Sequence, residues 1–200
     1  MEKKNQLAAT GLHRIALAQI LVVLGFVLSA VMAVMNLSEG MSGAATGVGI
    51  VALIVMLAAF VVNIVGMFNA AKADKLFLLA LLFTVVKMAL TYIHTPAFDT
   101  NSAGVAVCQS AAGLIAVVLI CAGAGKLLKA ANEEAAAKLG YFIMALYAVV
   151  SVIYTAVDLM TSMQENIGLA ILLVLLACQT VGALAYFVFL NKASKALGEH

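Results

Sequence analysis

The chain has 200 residues, of which 66% are hydrophobic and 10% are charged, and its formal net charge is +2. Soluble domains are about half apolar and a quarter charged, and a small soluble fold could not hide this much apolar surface. The composition therefore predicts that a lipid bilayer is the main solvent. The basic residues form no patch with interleaved aromatic side chains, so no nucleic-acid partner is expected.

Six long apolar segments follow one another along the chain, and a helix needs about 20 apolar residues to cross the hydrocarbon. Continuous apolar runs, rather than alternation at every second residue, favour helices over a barrel. The predicted helices cover residues 13–36, 45–70, 75–94, 103–127, 138–162 and 167–191. The expected fold class is an all-α membrane protein with six transmembrane helices, and residues 1–200 form a single integral membrane domain.

Ten of the eleven basic residues lie at alternate ends of these segments. They are Lys3, Lys4 and Arg14; Lys72 and Lys75; Lys126, Lys129 and Lys138; and Lys192 and Lys195. The connections at the other ends contain no basic residue and carry one acid each, namely Glu39, Asp99 and Glu165. Because basic residues stay on the cytoplasmic side of a membrane, both termini are predicted to be cytoplasmic. The short loops and the lack of glycosylation sequons in the outer connections indicate a bacterial plasma membrane.

A unit of helix, short acidic turn, helix and lysine- and alanine-rich segment occurs three times, which predicts three tandem helical hairpins. The predicted repeats are residues 12–73, 74–132 and 133–197. Successive hairpins have the same orientation, so this would be a parallel repeat. The alternative is that any bundle with an even number of spans has this layout without duplication. The segment from Lys126 to Lys138 is expected to extend the fourth helix, with a break at Asn132.

Two ionisable side chains, Lys87 and Asp158, interrupt the apolar segments. Groups of this kind are costly in a bilayer, and they usually face the bundle interior or a wet cavity. At 100° per residue, polar residues form one stripe on the third helix and another on the fifth. The first stripe is Thr84, Lys87, Thr91 and His94, and the second is Tyr147, Ser151, Tyr154, Thr155, Asp158 and Ser162.

Three interpretations of these stripes remain open. In the first, they face each other across an outward-opening cavity. Lys87 and Asp158 then pair with each other when the cavity is empty, or bind opposite charges on a small polar solute when it is filled. In the second, Lys87 extends outward along its stem and Asp158 lies near the interface, so neither has a function. In the third, Asp158 titrates and relays protons.

The candidate substrate-binding residues include two glutamines from matching tripeptides in the fourth and sixth helices. The full set is Lys87, Asp158, Thr84, Thr91, Tyr154, Gln109 and Gln179. The alternative for the glutamines is hydrogen bonding between helices.

Three smaller features have structural interpretations. The cysteines, Cys108, Cys121 and Cys178, are expected to be small core residues. The tyrosines near predicted span ends, Tyr92, Tyr141 and Tyr186, are expected to form an aromatic belt. The spacing Gly43-xxx-Gly47 allows two helices to approach closely, either within the chain or between copies.

No arrangement of residues typical of catalysis is present, so the protein is not expected to be an enzyme, and no cofactor or metal is predicted. The expected function is a multispan membrane protein that binds or transports a small polar solute. The alternative is a non-transporting accessory or structural subunit. The lipid bilayer is a predicted partner in both cases. A solute-binding protein would also bind a small-molecule ligand, and an accessory or structural subunit would bind partner membrane subunits.

Overall fold

A computed structural model of the chain describes residues 2–36, 42–93, 102–162 and 169–199, and these residues form six α-helices. Side chains are described for these residues except at positions 2, 42, 91–93, 102–103, 158–162, 169–170 and 172–176. The helices are α1 (Glu2–Asn36), α2 (Ser42–Ala71), α3 (Leu76–Ile93), α4 (Ser102–Ala130), α5 (Glu134–Ser162) and α6 (Leu169–Gly198). The predicted all-α fold is confirmed.

Four of the helices are long and apolar enough to cross a membrane within their described residues. These spans are Lys3–Asn36, Gly43–Ala71, Gly104–Ala130 and Glu134–Val157. A shorter apolar stretch, Leu76–Leu90, lies in α3.

The outer surface of the bundle is apolar, as α2 illustrates. Ile50, Leu53, Ile54, Leu57 and Val61 are between 43% and 61% exposed, and their helical spacing places them on one continuous face. Soluble monomers rarely expose apolar patches larger than a few hundred Å². The exposed apolar face, together with the span lengths, indicates a protein embedded in a membrane.

Helices α1 and α6 are longer than predicted. Helix α1 begins at Glu2 rather than at residue 13, and α6 ends at Gly198 rather than at residue 191. The basic residues mark the end of the apolar run but not the end of the helix. The added turns pack against each other, with Ala9 and Leu197 buried and the Ser194 hydroxyl donating a 2.9 Å hydrogen bond to the Ala9 carbonyl.

The predicted break at Asn132 is confirmed. Asn132 has a φ of 62°, in the left-handed region that asparagine tolerates better than most residues. The Glu133 amide donates to the Leu128 carbonyl at 2.8 Å, and the Asn132 amide donates to the Lys129 carbonyl at 3.1 Å. This pair of bonds is a Schellman motif, which satisfies the last carbonyls of α4 and reverses the chain into α5.

The six helices form a closed ring in sequence order, and the ring divides into two halves. Helix α1 packs extensively against both α2 and α6, and α4 packs extensively against both α3 and α5. Among the residues that the structure describes, the α2–α3 and α5–α6 interfaces that join the halves are thinner. We call α6, α1 and α2 the first half, and α3, α4 and α5 the second half.

The helices of a predicted hairpin do not always pack more extensively with each other than with the next hairpin. Over the described parts of these helices, α5 contacts α4 more extensively than it contacts α6, its predicted hairpin partner. The predicted repeats therefore remain a prediction from the sequence.

The buried core lies toward one end of the ring. We call this the lysine-rich end, because it contains the α2–α3 and α4–α5 connections and the C-terminal turns of α6, with Lys72, Lys126, Lys138 and Lys192. The largest fully buried side chains there include Leu12, Phe77, Leu128, Phe189 and Leu190. The core closes the lysine-rich end of the ring and leaves space between the helices further along their axes.

The α2–α3 connection is held by Asp74. One carboxylate oxygen accepts a hydrogen bond from the Leu76 amide at 2.9 Å, at the start of α3, and the other pairs with Lys126 of α4 at 2.6 Å. Burial by itself would raise the pKa of Asp74, but the hydrogen bonds from Lys126 and Leu76 and the Lys126 charge outweigh it and lower the pKa below 3.8. The ionised carboxylate therefore stabilises this corner.

We expect Asp74→Ala to destabilise the protein by about 0.5–2 kcal/mol, because it removes both the helix cap and the ion pair. Asp74→Asn keeps the cap oxygen and loses only the pairing with the largely exposed Lys126, which is worth about 0–1 kcal/mol. The stabilisation is present above the unfolded pKa and is lost as the pH falls through the lower folded pKa. The gap in thermal midpoint between wild type and Asp74→Asn should shrink from pH 7 to pH 3, as measured by circular dichroism. A constant gap would contradict the assignment.

Candidate solute-binding cavity

A cavity of about 250 Å³ lies between the two halves of the ring. All six helices contribute to its wall. The polar lining residues are Gln19 of α1, Asn63 of α2, Thr84 and Lys87 of α3, Ser110 of α4, Tyr147, Ser151 and Tyr154 of α5, and Gln179 and Tyr186 of α6. The remainder of the wall is apolar or glycine.

Four lining residues from four different helices lie at a similar depth. Lys87, Gly113, Ser151 and Gln179 are each about 12 or 13 residues along their helix from the nearest lysine of the lysine-rich end. At a rise of about 1.5 Å per residue, this places them about 18–20 Å from that end. A hydrocarbon layer is about 30 Å thick, so this level is deep within it if the bundle crosses a membrane.

The Lys87 side chain lies against Gly113 of α4 on the wall of the cavity. A Cβ atom at position 113 would lie 3.2 Å from Lys87 Cδ and 3.3 Å from Nζ, so the glycine makes room for the lysine side chain. The Lys87 side chain is exposed, and its stem and ammonium group lie against Gly113 of α4 on the wall of the cavity. Part of its exposed surface therefore faces the cavity.

Four of the seven predicted site residues are brought together here. Thr84, Lys87, Tyr154 and Gln179 all line the cavity. Gln109 does not line it, and it is half-buried on α4 one residue before Ser110, which does. The side chains of Thr91 and Asp158 lie outside the described residues.

The sequence also gave partial signals for lining residues that were not predicted as site residues. Gln19 and Asn63 are polar residues within apolar helices, and Tyr147 and Ser151 belong to the polar stripe of α5. The sequence indicates how far along its helix each of these residues lies. It does not indicate which helices face one another. That pairing depends on the ring order and on the rotation of each helix.

Tyr186 corrects the prediction of an aromatic belt. Its side chain is only 2% exposed and forms the floor of the cavity together with Ile120. Its ring meets that of Tyr147 edge to face, with centroids 5.8 Å apart. Tyr141, in contrast, is half exposed and accepts a 2.9 Å hydrogen bond from Lys129, as a residue near a membrane surface would.

The cavity floor seals the lysine-rich end across the junction of the two halves. Below the Tyr147–Tyr186 pair, the ring of Phe189 in α6 covers Gly140 in α5, and a Cβ at position 140 would lie 2.9 Å from that ring. On the other side of the junction, the Thr84 hydroxyl of α3 lies 3.7 Å from the Met67 sulfur of α2. Each contact joins one half to the other.

The prediction that all three cysteines are core residues is wrong for two of them. Cys121 is buried, but Cys108 is exposed and Cys178 is partly exposed. No close packing of the Gly43-xxx-Gly47 spacing is found within the described part of the chain, where nothing lies within 4 Å of a Cβ at either position.

The described residues contain no group of three or more His, Cys, Asp or Glu side chains that could hold a metal ion. The cavity can therefore be described by its ammonium, amide and hydroxyl groups, which bind by charge and hydrogen bonding. Comparisons of the chain with protein-family models, with curated proteins and with solved structures found no match.

Proposed function

We propose that this chain is a six-span membrane protein that binds a small polar solute in the central cavity and carries it between the two sides of the membrane, without catalysing a reaction. The observation that supports the proposal is the convergence of Lys87 with amide and hydroxyl groups of the other five helices on one cavity deep within the bundle. Polar groups are expensive at this depth, and they are characteristic of solute pathways.

Every helix of the ring contributes a polar side chain to the cavity, which helix packing alone does not require. Helices in a membrane pack well through small residues, as at Gly11 and Gly66, and need no internal space. The observed volume of about 250 Å³ is just below the range of about 300–1,000 Å³ for drug-sized ligands. A small solute fits this space, and a nucleotide or lipid does not.

The division into two halves suggests how the solute could be released. Carriers commonly expose a central site by rocking one packed bundle against another. Here each half is packed extensively within itself, and the cavity lies at the thinner junction between them. Separation of Phe189 from Gly140 would open the lysine-rich end, while the opposite end would close.

The positions of the basic residues support an orientation. In the proposed orientation, the lysine-rich end faces the cytoplasm with both termini, and the cavity opens outward. The short connections are compatible with a bacterial plasma membrane.

Cysteine labelling tests this arrangement with two neighbouring residues of α5. Ser151 lines the cavity, whereas Val152 is 66% exposed on the outer surface of the bundle. In a background without native cysteines, we expect Ser151→Cys in intact cells to react with a charged, membrane-impermeant methanethiosulfonate added outside. Val152→Cys should not react, because a thiol in lipid is not ionised.

Labelling of Ser151→Cys and Val152→Cys can also contradict the proposed function. If neither cysteine reacts while both proteins are folded, the interior is dry and the solute-binding proposal fails. If Ser151→Cys reacts only in inverted vesicles, a cavity exists but its proposed outward opening is wrong.

A further inference from the structure

Helices α2 and α3 carry matching stripes on their outer surfaces, and each stripe ends in an exposed lysine at the connection between them. The apolar members are between 39% and 57% exposed, and they lie four, seven and eleven residues from the lysine, the spacing of one helix face. The stripe of α2 is Val61, Val65, Phe68 and Lys72, and the stripe of α3 is Lys75, Leu79, Leu82 and Val86. Each helix therefore offers a continuous apolar face with a cation at its end.

The stripes are as long as one leaflet of a bilayer. Each lysine is eleven residues from the far end of its stripe, which is about 16 Å at a rise of about 1.5 Å per residue. Half of the hydrocarbon layer is about 15 Å thick. A phospholipid with its phosphate beside the lysines could therefore lay its acyl chains along the full length of the stripes.

The acid between the two lysines already has partners. Asp74 is 9% exposed, and its oxygens accept hydrogen bonds from the Leu76 amide and from Lys126. Within the part of the chain that the structure describes, neither Lys72 nor Lys75 forms an ion pair. The connection therefore carries a local excess of positive charge at its exposed surface, where an anionic headgroup would lie.

Phe68 holds Lys72 on the outer surface of α2. The Lys72 Nζ lies 5.6 Å from the centroid of the Phe68 ring, within the range of about 6 Å for a cation–π contact. A lysine ammonium has three donors, so it can face the ring and still donate to a phosphate oxygen. A hydrogen bond between two charged groups is also stronger than one between neutral groups.

We propose that the α2–α3 corner (residues 72–75) binds an anionic phospholipid, with its phosphate between Lys72 and Lys75 and its acyl chains along the two stripes. Neighbouring helix axes are about 8–10 Å apart, so one phosphate can reach both flexible lysine side chains. A zwitterionic headgroup brings a cation of its own and gains less from the two lysines. The inference is independent of the solute cavity, because no member of the stripes lines it.

The experiment titrates lipid into the full-length protein after delipidation in detergent. Native mass spectrometry identifies the bound species, and thermal unfolding followed by circular dichroism gives the affinity. The probes are phosphatidylglycerol, phosphatidylcholine with the same acyl chains, and glycerol 3-phosphate as a phosphate without acyl chains. We expect phosphatidylglycerol to form an adduct and to raise the thermal midpoint in a saturable manner that weakens with added salt. The other two probes should have no saturable effect.

A matched pair of double variants separates the corner from the net charge. Lys72→Gln with Lys75→Gln should weaken phosphatidylglycerol binding by roughly 30-fold, from about 1 kcal/mol for each lysine near an anionic surface. Lys3→Gln with Lys4→Gln removes the same charge from the same end of the bundle and should leave binding unchanged. The first exposed large apolar side chain of α1, Leu17, is about 20 Å further along the helix from Lys4, so no apolar stripe adjoins these two lysines.

A second pair of variants tests the apolar part of the site without changing any charge. Phe68→Ala should weaken phosphatidylglycerol binding by a smaller factor than the loss of both lysines, because it removes the ring beside Lys72 and one member of the stripe. Leu53→Ala is the control on the same helix. Leu53 is 61% exposed but lies beyond the end of the stripe, so its loss should leave binding unchanged.

Four results would overturn the inference. Equal binding of phosphatidylcholine would remove the preference for an anionic lipid, and glycerol 3-phosphate binding as tightly as phosphatidylglycerol would assign the lysines to a free phosphate. Equal weakening by both lysine pairs would replace the corner by the net charge of the protein. A dimer in place of the lipid adduct, lost when Lys72 and Lys75 are replaced, would assign the corner to a second copy of the chain. None of these results alters the labelling of Ser151→Cys, so the proposed function is tested separately.

Discussion

Replacing Phe189 by alanine is expected to destabilise the folded bundle by about 3–5 kcal/mol, the usual cost of removing a buried aromatic side chain. Phe189 is fully buried, and its ring covers Gly140 where α6 of the first half meets α5 of the second. Its loss leaves a void at the thin junction between the halves, where few other contacts compensate. Thermal unfolding in detergent, followed by circular dichroism, measures the effect.

A double-mutant cycle tests whether the Phe189–Gly140 contact itself is responsible. Gly140→Ala alone should be destabilising, because its methyl group would lie 2.9 Å from the ring, and Phe189→Leu alone should be destabilising because it shortens the side chain. In the double variant the methyl group fills part of the space that the ring leaves. We expect a favourable coupling of about 0.5–3 kcal/mol. Strictly additive effects would show that the two residues do not pack together.

The same substitution connects stability to the proposed function. If the Phe189–Gly140 contact seals the lysine-rich end, Phe189→Ala should admit a charged thiol reagent to Ser151→Cys from that side as well as from the opposite side. Gly125→Ala, an open position on α4, should leave the sidedness of labelling unchanged.

Replacing Gly66 by alanine is expected to lower the thermal midpoint by roughly 2–12 °C, from an overpacking cost of about 1–3 kcal/mol. A Cβ at this position would lie 2.8 Å from the Gly11 carbonyl oxygen and 2.9 Å from the Ile15 amide nitrogen. These are backbone atoms of α1, which cannot turn aside as a flexible side chain can. The two helices would have to separate along their most extensive interface.

Gly47→Ala is the matched control in the same helix. Nothing lies within 4 Å of a Cβ at position 47, so alanine adds no clash and gains its higher helix propensity, about 1 kcal/mol relative to glycine. We expect its midpoint to stay constant or rise. A lower thermal midpoint for Gly66→Ala and an equal or higher one for Gly47→Ala would show that α1 and α2 approach closely at Gly66. A fall at Gly47 equal to that at Gly66 would contradict it.

The sequence by itself determined the helices. A long uninterrupted apolar segment in lipid forms a helix, because its backbone amides and carbonyls must hydrogen-bond within the segment itself. The break at Asn132 was also readable, since it depends on one residue that tolerates a positive φ. The basic clusters likewise predicted which helix ends lie together, although they did not mark where α1 begins, because a helix can continue past the membrane surface.

The tertiary structure decided which faces meet. The polar stripes of α3 and α5 could be read from a single helix, but their convergence with Gln19, Asn63 and Gln179 depends on the order and rotation of six helices in a ring. The sequence suggested Gly43 and Gly47 as the close contact, whereas the structure uses Gly11 and Gly66, because a glycine matters only where another backbone crosses it. Tyr186 changed from a surface residue to the cavity floor for the same reason. Periodicity within a helix is a local property, and contact between helices is not.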